Sequence, residues 1–512
     1  MESLGKKRLI TIVGNCILLC VVALIFIKVY GSNLPSEKYY SDEGDYMSAV
    51  SKGFLSNYLD KHSMSLFSFV SYGFKYGLSK ENATTLSNIA RASGGEDQFR
   101  HYHGPVFIYY LIIGKNFIDN SETAFRWLSA FVLLACAIFV FMLLLLLNEP
   151  PTARVGCYLA AIMILFSPVL FDTVAFISPH MIYSLFTAVV LLLTAVIIKE
   201  KKLTYWYGAL LCLALSTITI EYSPLLIVTF VISIYLNRKQ LFPGWDKKEI
   251  VLFIAKSVLF YFLVIFIVWP AGIVKLSLIK SYIMYVYAAT IRSEYYGTQN
   301  YLTVWLYRFK LSPVELTIIF LSIGSAVFML KRRKWIFPFV LYCLLILLAT
   351  IRNKSPASSH VSSFVTTGII LSGIIINNAL STKKITKFSA IFCIIALNYA
   401  SFVYLFLPPY HRRYDLLYNQ LNGMVEYVNK HYNERILVHR ECLMTLHYYF
   451  PEKKIDSFRE AREIGGFIQK GGEYSRVIYW GADKCGVLEK MKMKYASYEK
   501  DDVLYFNLIN SE

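Results

Sequence analysis

The 512-residue sequence contains no Cys-x-x-Cys motif, and this absence argues against a zinc site built on paired cysteines. Seven of its nine cysteines lie within apolar runs, where cysteine behaves as a small hydrophobic residue. Only Cys442 and Cys485 fall in a polar part of the chain. They could pair if that part lies outside the cytoplasm, or remain as two thiols. The cysteines therefore define no disulfide framework.

The chain also lacks a soluble basic module. Its 52 Lys and Arg residues and 34 Asp and Glu residues leave a net charge of +18. Residues 30–104 carry seven basic and eight acidic residues, and residues 409–512 carry sixteen and fifteen. The excess positive charge therefore belongs to the apolar part. A nucleic-acid-binding protein would carry a basic face on a soluble domain, so nucleic acid is not an expected partner.

Long apolar runs dominate what is present. The apolar fraction of 56% and the mean hydropathy of +0.48 predict a polytopic α-helical membrane protein. Basic residues 6–8 precede the first run, residues 9–30, which we interpret as a retained signal-anchor with a cytoplasmic N-terminus. Residues 105–117 are apolar but too short to cross, so they are predicted to be re-entrant or interfacial. Further spans are predicted at roughly 123–147, 155–177, 180–198, 204–220, 222–236, 250–270, 312–330, 336–351, 361–379 and 388–407.

The basic loops set the predicted topology. If residues 105–117 do not cross, every short basic loop lies on the cytoplasmic side with the N-terminus. This parity predicts about 11 spans, or about 13 helices when interfacial ones are counted. Residues 31–104, the stretches near 271–311 and 352–360, and the tail are then extracytoplasmic. Residues 1–408 are predicted to form the transmembrane domain.

The tail, residues 409–512, is predicted to be a soluble α/β domain. Apolar residues recur there at helical spacing from Leu416 to Val428, and short apolar segments at 436–438, 454–456 and 477–480 are typical of strands. The tail contains no glycine-rich phosphate loop, and no internal repeat is visible.

Three carboxylates occur directly after the first span, within residues 39–46 (YYSDEGDY). Tyr46, Met47 and Val50 follow at helical spacing, which predicts an amphipathic helix. Asp42, Glu43 and Asp45 could simply begin that helix, since acids favour its first turn. A carboxylate at the edge of the bilayer can also take a proton from an acceptor hydroxyl. The two roles are compatible.

Other ionisable residues lie on the same predicted face. Residues 271–311 carry five cations against one acid, and Arg352 and Lys354 follow. Cations normally avoid this side of a membrane, so they indicate an anionic ligand, and Arg292 and Arg352 are our candidates for phosphate binding. Contact with anionic headgroups is the alternative. His101 and His103 could bind phosphate, sugar or a metal, although ordinary loop histidines are the more common explanation. Asp172, His180 and Glu221 lie in or beside apolar runs towards the same face, where ionisable residues are costly and usually functional.

Four short motifs occur in a familiar order: Asp42-Glu43 after the first span, Tyr102-His103-Gly104-Pro105, the segment FRWLSA at 125–130, and Ser167-Pro168. Together they resemble GT-C glycosyltransferases, nearest to the protein O-mannosyltransferase and aminoarabinose-transferase group. The resemblance covers residues 9–235 in pattern and the remainder in topology only. Relatives often have Lys where Gly104 stands, and many have an acid near Pro179-His180.

The resemblance implies a membrane glycosyltransferase that takes a hexosyl or pentosyl group from a polyprenyl-phosphate-linked donor at the outer face. Asp42 is then the catalytic base, Glu43 a supporting acid, and Tyr102 and His103 contacts of the donor phosphate. His101, His180 and Glu221 are candidate substrate or metal contacts, and a divalent metal is compatible with them, although no cofactor is fixed. The acceptor could be a lipid, a polysaccharide or a protein, and the expected location is a bacterial inner membrane.

Two other functions stay open at the level of sequence. A lipid-linked-oligosaccharide ligase or polymerase would be expected to carry its large outer loop late in the chain, whereas here the long loop comes first. A transporter or flippase would be expected to have charge near the membrane midplane and internal symmetry.

Overall fold

The structure, a computed structural model, describes residues 20, 22–36, 38–40, 42–54, 104–147, 154–220, 222–270, 301–350, 358–380, 399, 402–403, 407–458, 463–464, 474–480, 491–493, 495–500 and 502–508. Within these ranges the protein is mostly helical, with one five-stranded sheet near the C-terminus. This confirms the predicted combination of an apolar helical part and a small C-terminal unit containing a sheet.

The helices of the apolar part are, in chain order, α1 (Val22–Asn33), α2 (Asp42–Lys52), α3 (Val106–Lys115), α4 (Glu122–Leu147), α5 (Arg154–Leu165), α6 (Pro168–Ala175), α7 (His180–Glu200), α8 (Trp206–Thr217), α9 (Ser223–Leu241), α10 (Lys247–Val268), α11 (Tyr301–Leu311), α12 (Pro313–Met329), α13 (Phe337–Thr350) and α14 (Ser362–Leu380). Single 3₁₀ turns precede α8, α13 and α14, at Leu203–Tyr205, Lys334–Ile336 and Ser358–Val361.

Four of the described helices are long and apolar enough to cross a membrane: α4, α7, α10, and α14 together with the turn before it (Ser359–Asn378). The number rises to six if each of two bent pairs, α5 with α6 and α11 with α12, is one span. The second pair bends by 113°. Its first helix, α11, falls within residues 271–311, so part of the loop predicted there is helical. Helix α3 is ten residues long, as expected of a segment too short to span. The count of about 11 spans stays a prediction.

Helix α7 forms the centre of the apolar part. Of its most apolar window, 83% is buried, because α4, α8 and α14 pack around it.

The close approach of α5 and α14 depends on glycine. A Cβ at Gly156 of α5 would lie 2.1 Å from the carbonyl oxygen of Gly373 of α14, so only glycine allows these two helices to touch. The Gly156 amide donates a hydrogen bond to Asn377 Oδ1 at 2.7 Å across the same contact.

The C-terminal unit begins with α15 (Leu407–Lys430). It continues through β1 (Ile436–His439), α16 (Arg440–Tyr449), β2 (Ile455–Phe458), β3 (Arg476–Trp480), β4 (Ala496–Lys500) and β5 (Val503–Asn507). The strand order is β2-β1-β3-β5-β4. The first two pairings are parallel, and those of β3 with β5 and β5 with β4 are antiparallel. Three strands coincide with predicted segments, whereas β4 and β5 were not predicted. Cys442 is buried in this unit, and Cys485 lies outside the described residues.

Candidate functional site

Helix α2 begins at Asp42, as the sequence predicts, and its second residue makes a buried ion pair. Glu43 is 2% exposed and Arg126 of α4 is 0% exposed. The Arg126 Nη2 donates to Glu43 Oε2 at 3.0 Å, and its Nε donates to Oε1 at 3.3 Å. This two-point contact holds the carboxylate in one orientation against α4.

Backbone groups complete the surroundings of the Glu43–Arg126 pair. The amide of Ile177, in the connection from α6 to α7, donates to Glu43 Oε1 at 2.8 Å, and the amide of Tyr40 donates to Oε2 at 2.9 Å. Arg126 Nη1 donates to the carbonyl of Pro35 at 3.0 Å. Each oxygen of Glu43 thus accepts from a side chain and from the backbone, which is what a buried charge requires. Glu43 is therefore a structural carboxylate that joins three parts of the chain.

Asp42 is adjacent in the chain to Glu43 and is exposed, whereas Asp45, three residues further along α2, is 6% exposed. Further along α2, Tyr46, Met47 and Val50 are buried in the protein core. The three neighbouring acids consequently have different environments. Of these three acids, only Asp42 is exposed, and it is adjacent in the chain to the buried Glu43.

The position before Pro105 has no room for a side chain. A Cβ at Gly104 would lie 2.0 Å from the carbonyl oxygen of Ile218, which follows α8. The Val106 amide donates to that same carbonyl at 3.3 Å. The backbone of Ile218 therefore occupies the space that a lysine would need. A lysine, which the sequence resemblance leads us to expect at this position, would therefore not fit without movement of the Ile218 backbone.

A cluster of His180, Tyr222 and His360, which we call the histidine–tyrosine cluster, gathers residues from three parts of the chain. The rings of His180 and His360 are 5.1 Å apart in an edge-on arrangement, and the Tyr222 hydroxyl lies 3.3 Å from His360 Nδ1. Tyr183 donates to the carbonyl of Tyr222 at 3.0 Å. His180 follows Ile177 by three residues, so the Glu43 contact and this cluster share one connection.

Arg308 belongs to the group of cations that the sequence predicts at the outer face. It is 1% exposed on α11, with its guanidinium 5.1 Å from the ring centre of Trp305. It also lies within electrostatic reach of the Tyr222 and Tyr301 hydroxyls. One of the predicted cations is therefore buried on α11, within electrostatic reach of Tyr222 of the histidine–tyrosine cluster.

The C-terminal unit contacts the segment that precedes Asp42. The Tyr449 hydroxyl of α16 donates to Glu122 Oε1 at 2.8 Å and accepts from the Tyr39 amide at 3.1 Å. Lys38 Nζ donates to the same Glu122 oxygen at 3.1 Å. Burial raises the pKa of Tyr449, so its hydroxyl stays protonated and available as a donor. The ring of Tyr40 meets Trp480 of β3 at 5.9 Å.

Several predicted residues fall outside the described ranges: His101, Tyr102, His103, Glu221, Arg292 and Arg352. Their roles stay predictions. Asp172 is described, and it is buried in α6. Among the residues that the structure describes, no group of three or more His, Cys, Asp or Glu side chains could hold a metal ion.

Sequence reasoning did not single out Arg126, His360 or Tyr449. Arg126 had a usable signal, because an arginine inside a long apolar run is costly unless a partner neutralises it. His360 and Tyr449 had none, since a histidine in a loop and a tyrosine pair in a soluble helix are ordinary features.

No family model matches the chain, and no curated protein matches its sequence. Solved structures do match its fold. ArnT from Cupriavidus metallidurans bound to undecaprenyl phosphate superposes with a TM-score of 0.60 at 8% identity, covering 96% of this chain and 98% of that one. Its apo state gives 0.57 at 10% identity. An Archaeoglobus fulgidus oligosaccharyltransferase, in complex with Zn and sulfate, gives 0.52 at 10% identity over 90% of this chain and 67% of that one.

ArnT, an aminoarabinose transferase, and the oligosaccharyltransferase are both GT-C glycosyltransferases. The fold of this chain is therefore the GT-C membrane fold, as the short motifs predict. Its nearly complete mutual coverage with ArnT includes the C-terminal unit as well as the apolar helices. Together with the apolar helices, this fold defines an integral membrane protein.

Proposed function

We propose that this protein is a glycosyltransferase that moves a sugar from a polyprenyl-phosphate-linked donor to an acceptor hydroxyl at the extracytoplasmic face, with Asp42 as the general base. The observation that carries the proposal is the exposed Asp42 carboxylate beside the buried Glu43–Arg126 pair, within a fold shared with an ArnT that binds undecaprenyl phosphate. A base must be both accessible and fixed, and Asp42 combines these properties.

The proposed step is a direct displacement. Asp42 takes the proton of the acceptor hydroxyl while that oxygen forms a bond to the anomeric carbon of the sugar. The bond from that carbon to the phosphate oxygen breaks, and the polyprenyl phosphate leaves with the electron pair. One displacement inverts the anomeric centre. Glu43 supports the step by holding the first turn of α2 in place through Arg126.

Departure of the phosphate requires nearby cations or hydrogen-bond donors. Arg308 and the histidine–tyrosine cluster supply such groups. His180 of this cluster follows the connection whose Ile177 amide donates to Glu43. We include Arg308, His180 and His360 in the donor end of the site, together with the predicted Tyr102, His103, Arg292 and Arg352. Glu221 directly precedes Tyr222 of the histidine–tyrosine cluster, and His101 directly precedes the predicted phosphate contact Tyr102. Both remain candidate substrate or metal contacts.

Asp42→Asn is the direct test. Cells that produce the wild-type protein, the variant or no protein are compared by mass spectrometry of their glycolipids, polysaccharides and proteins. We expect a covalent sugar adduct that depends on the wild-type protein and is reduced at least 100-fold by Asp42→Asn, the lower end of what general-base catalysis contributes. Near-normal product from Asp42→Asn would contradict the assignment.

Asp246→Asn is the matched control. Asp246 is also an acid at a helix start, and its side chain accepts from the Glu249 amide at 2.7 Å. It lies in the connection between α9 and α10, away from the proposed catalytic site. Its replacement should leave the product unchanged. The midpoint of thermal unfolding of Asp42→Asn in detergent should match that of the wild type, because Asp42 is exposed.

The same experiment separates the alternatives. Transfer of a preassembled oligosaccharide, detected as one large mass increment, would favour a ligase or polymerase. Movement of labelled lipid-linked sugar into proteoliposomes without any covalent product would favour a transporter.

A further inference from the structure

An apolar groove opens among α8, α9 and α10, away from the proposed catalytic site. Its volume is about 760 Å³, within the roughly 300–1,000 Å³ typical of ligand pockets. Aromatic and branched side chains form most of its wall, including Trp206, Phe230, Ile234, Phe253, Val258 and Phe262. The groove is large enough to be a binding site in its own right.

Three polar side chains of this groove form hydrogen bonds within the protein. Trp206 Nε1 donates to Ser257 Oγ at 2.9 Å, and Ser257 Oγ donates to the carbonyl of Phe253 at 2.8 Å. The Tyr261 hydroxyl lies 2.7 Å from Thr217 Oγ1. The wall therefore presents hydrocarbon to an occupant, which favours an apolar chain over a polar ligand.

Helix α10 leaves one side of the groove open. Only 11% of its most apolar window is buried, whereas the corresponding value for α7 is 83%. Ile254 and Val258 face the groove and are 53% and 48% exposed. In an integral membrane protein this opening faces lipid, so a lipid chain can enter from the side.

The rim of the groove is basic. Arg238 and Lys239, in the last turn of α9, line the groove and are exposed. Lys247 and Lys248 begin α10 just beyond the short connection. Asp246 and Glu249, also at this end, bond to each other's backbone amides in a capping box. No acidic residue is among the described residues that line the groove.

This basic rim lies at the opposite end of α9 from the histidine–tyrosine cluster. Helix α9 has 19 residues and starts directly after Tyr222, so its two ends are about 28 Å apart at the rise of an α-helix. That length is close to the thickness of a bilayer core. A lipid headgroup at Arg238 therefore lies in the leaflet opposite the one where the proposed reaction takes place.

We propose that this groove binds an anionic diacyl phospholipid, with an acyl chain against Trp206 and Val258 and the phosphate at Arg238 and Lys239. Basic pockets between membrane helices bind anionic headgroups in this manner. Mass action favours a bulk phospholipid over a scarce carrier lipid at this position. The bound lipid would complete the packing of α10, which the protein itself leaves largely exposed.

The test uses Trp206 as a reporter. The full chain is reconstituted in phosphatidylcholine nanodiscs that contain increasing fractions of phosphatidylglycerol with brominated acyl chains, which quench nearby tryptophan fluorescence. The other tryptophans contribute a background of quenching, and we expect a saturable component above it that Trp206→Phe removes. Brominated phosphatidylcholine should produce a weaker saturable component. Because each cation contributes about fivefold to headgroup affinity, Arg238→Gln with Lys239→Gln should weaken phosphatidylglycerol binding roughly 25-fold.

Lys331→Gln with Lys334→Gln is the matched control, since these cations lie between α12 and α13 and do not line the groove. Equal quenching by the two phospholipids, or equal weakening by the control pair, would overturn the proposal. Displacement of the brominated lipid by a polyprenyl phosphate at lower concentration would overturn the choice of occupant. None of these outcomes depends on whether the protein transfers sugar.

Discussion

The guanidinium of Arg126 contacts both carboxylate oxygens of Glu43, and this buried pair lies directly beneath the exposed Asp42. Neighbouring acids in the sequence therefore have different environments. Glu43 accepts four hydrogen bonds, whereas Asp42 is exposed, as the proposed role of a base requires. This difference makes the two residues distinguishable by experiment.

Glu43→Gln should destabilise the fold as well as reduce transfer. The substitution leaves the Arg126 charge buried without its counter-charge, which costs about 3–5 kcal/mol. Thermal unfolding in detergent, followed by tryptophan fluorescence, measures the loss. Asp42→Asn should show no such loss. If Glu43→Gln unfolds at the wild-type temperature, the pair does not support the site in the way described.

Gly104→Lys should destabilise the protein, although the family that the sequence resembles often has lysine at this position. Its Cβ would lie 2.0 Å from the Ile218 carbonyl oxygen, so backbone must move at a cost of about 3 kcal/mol. Gly104→Ala should behave similarly, because the clash is with Cβ. Gly324→Ala is the control, since no atom lies within 4 Å of a Cβ there. Yield of monodisperse protein and thermal unfolding provide the measurement, and a stable, active Gly104→Lys variant would contradict the packing.

Tyr449→Phe tests whether the C-terminal unit positions Asp42. The change removes the hydrogen bond to Glu122 and the acceptor of the Tyr39 amide, at a cost of about 1–2 kcal/mol. We expect kcat to fall while the donor KM changes little, because the displaced segment carries the base and not the phosphate contacts. Tyr448→Phe is the control, since the Tyr448 ring packs at 5.1 Å on Tyr39 and a phenyl ring preserves that contact. Equal effects of the two changes would argue against a positioning role for the Tyr449 hydroxyl.

The C-terminal sheet should lose stability in acid through Glu434. Hydrogen bonds from Arg476 lower the pKa of Glu434 to about 2, from an ordinary value of 4.5. A lowered pKa in the folded state adds stability above pH 4.5, and that stability is lost as the pH falls towards 2. Protection from peptide-level hydrogen exchange over residues 434–439 and 474–480, expressed relative to the intrinsic exchange rate at each pH, should therefore fall across this range.

Glu434→Gln should be less stable than the wild type near neutral pH and should reduce that acid dependence. Glu499→Gln is the control, because Glu499 is half exposed and its contact with Lys492 is 3.9 Å long. An unchanged acid profile in Glu434→Gln would show that other groups govern the acid response of the sheet.

Local sequence patterns predict several elements correctly. Helical spacing of Tyr46, Met47 and Val50 after three acids predicts α2 and its first residue, and short apolar segments predict β1, β2 and β3. Strands β4 and β5 were not predicted. All five residues of β4 are exposed, so its side chains carry no apolar pattern, and its position depends on pairing with β5.

The sequence by itself determined the class of protein, because long apolar runs and short motifs near their ends reflect the local requirements of a bilayer and of helix starts. The sequence narrowed the choice of a proposed catalytic base to three neighbouring acids, and the family resemblance favoured Asp42 among them. Only the tertiary structure decided that Glu43 is buried on Arg126, that Gly104 faces the Ile218 carbonyl, and that Tyr449 reaches Glu122. These contacts join residues 83 to 327 positions apart, and no local pattern encodes a partner at that distance.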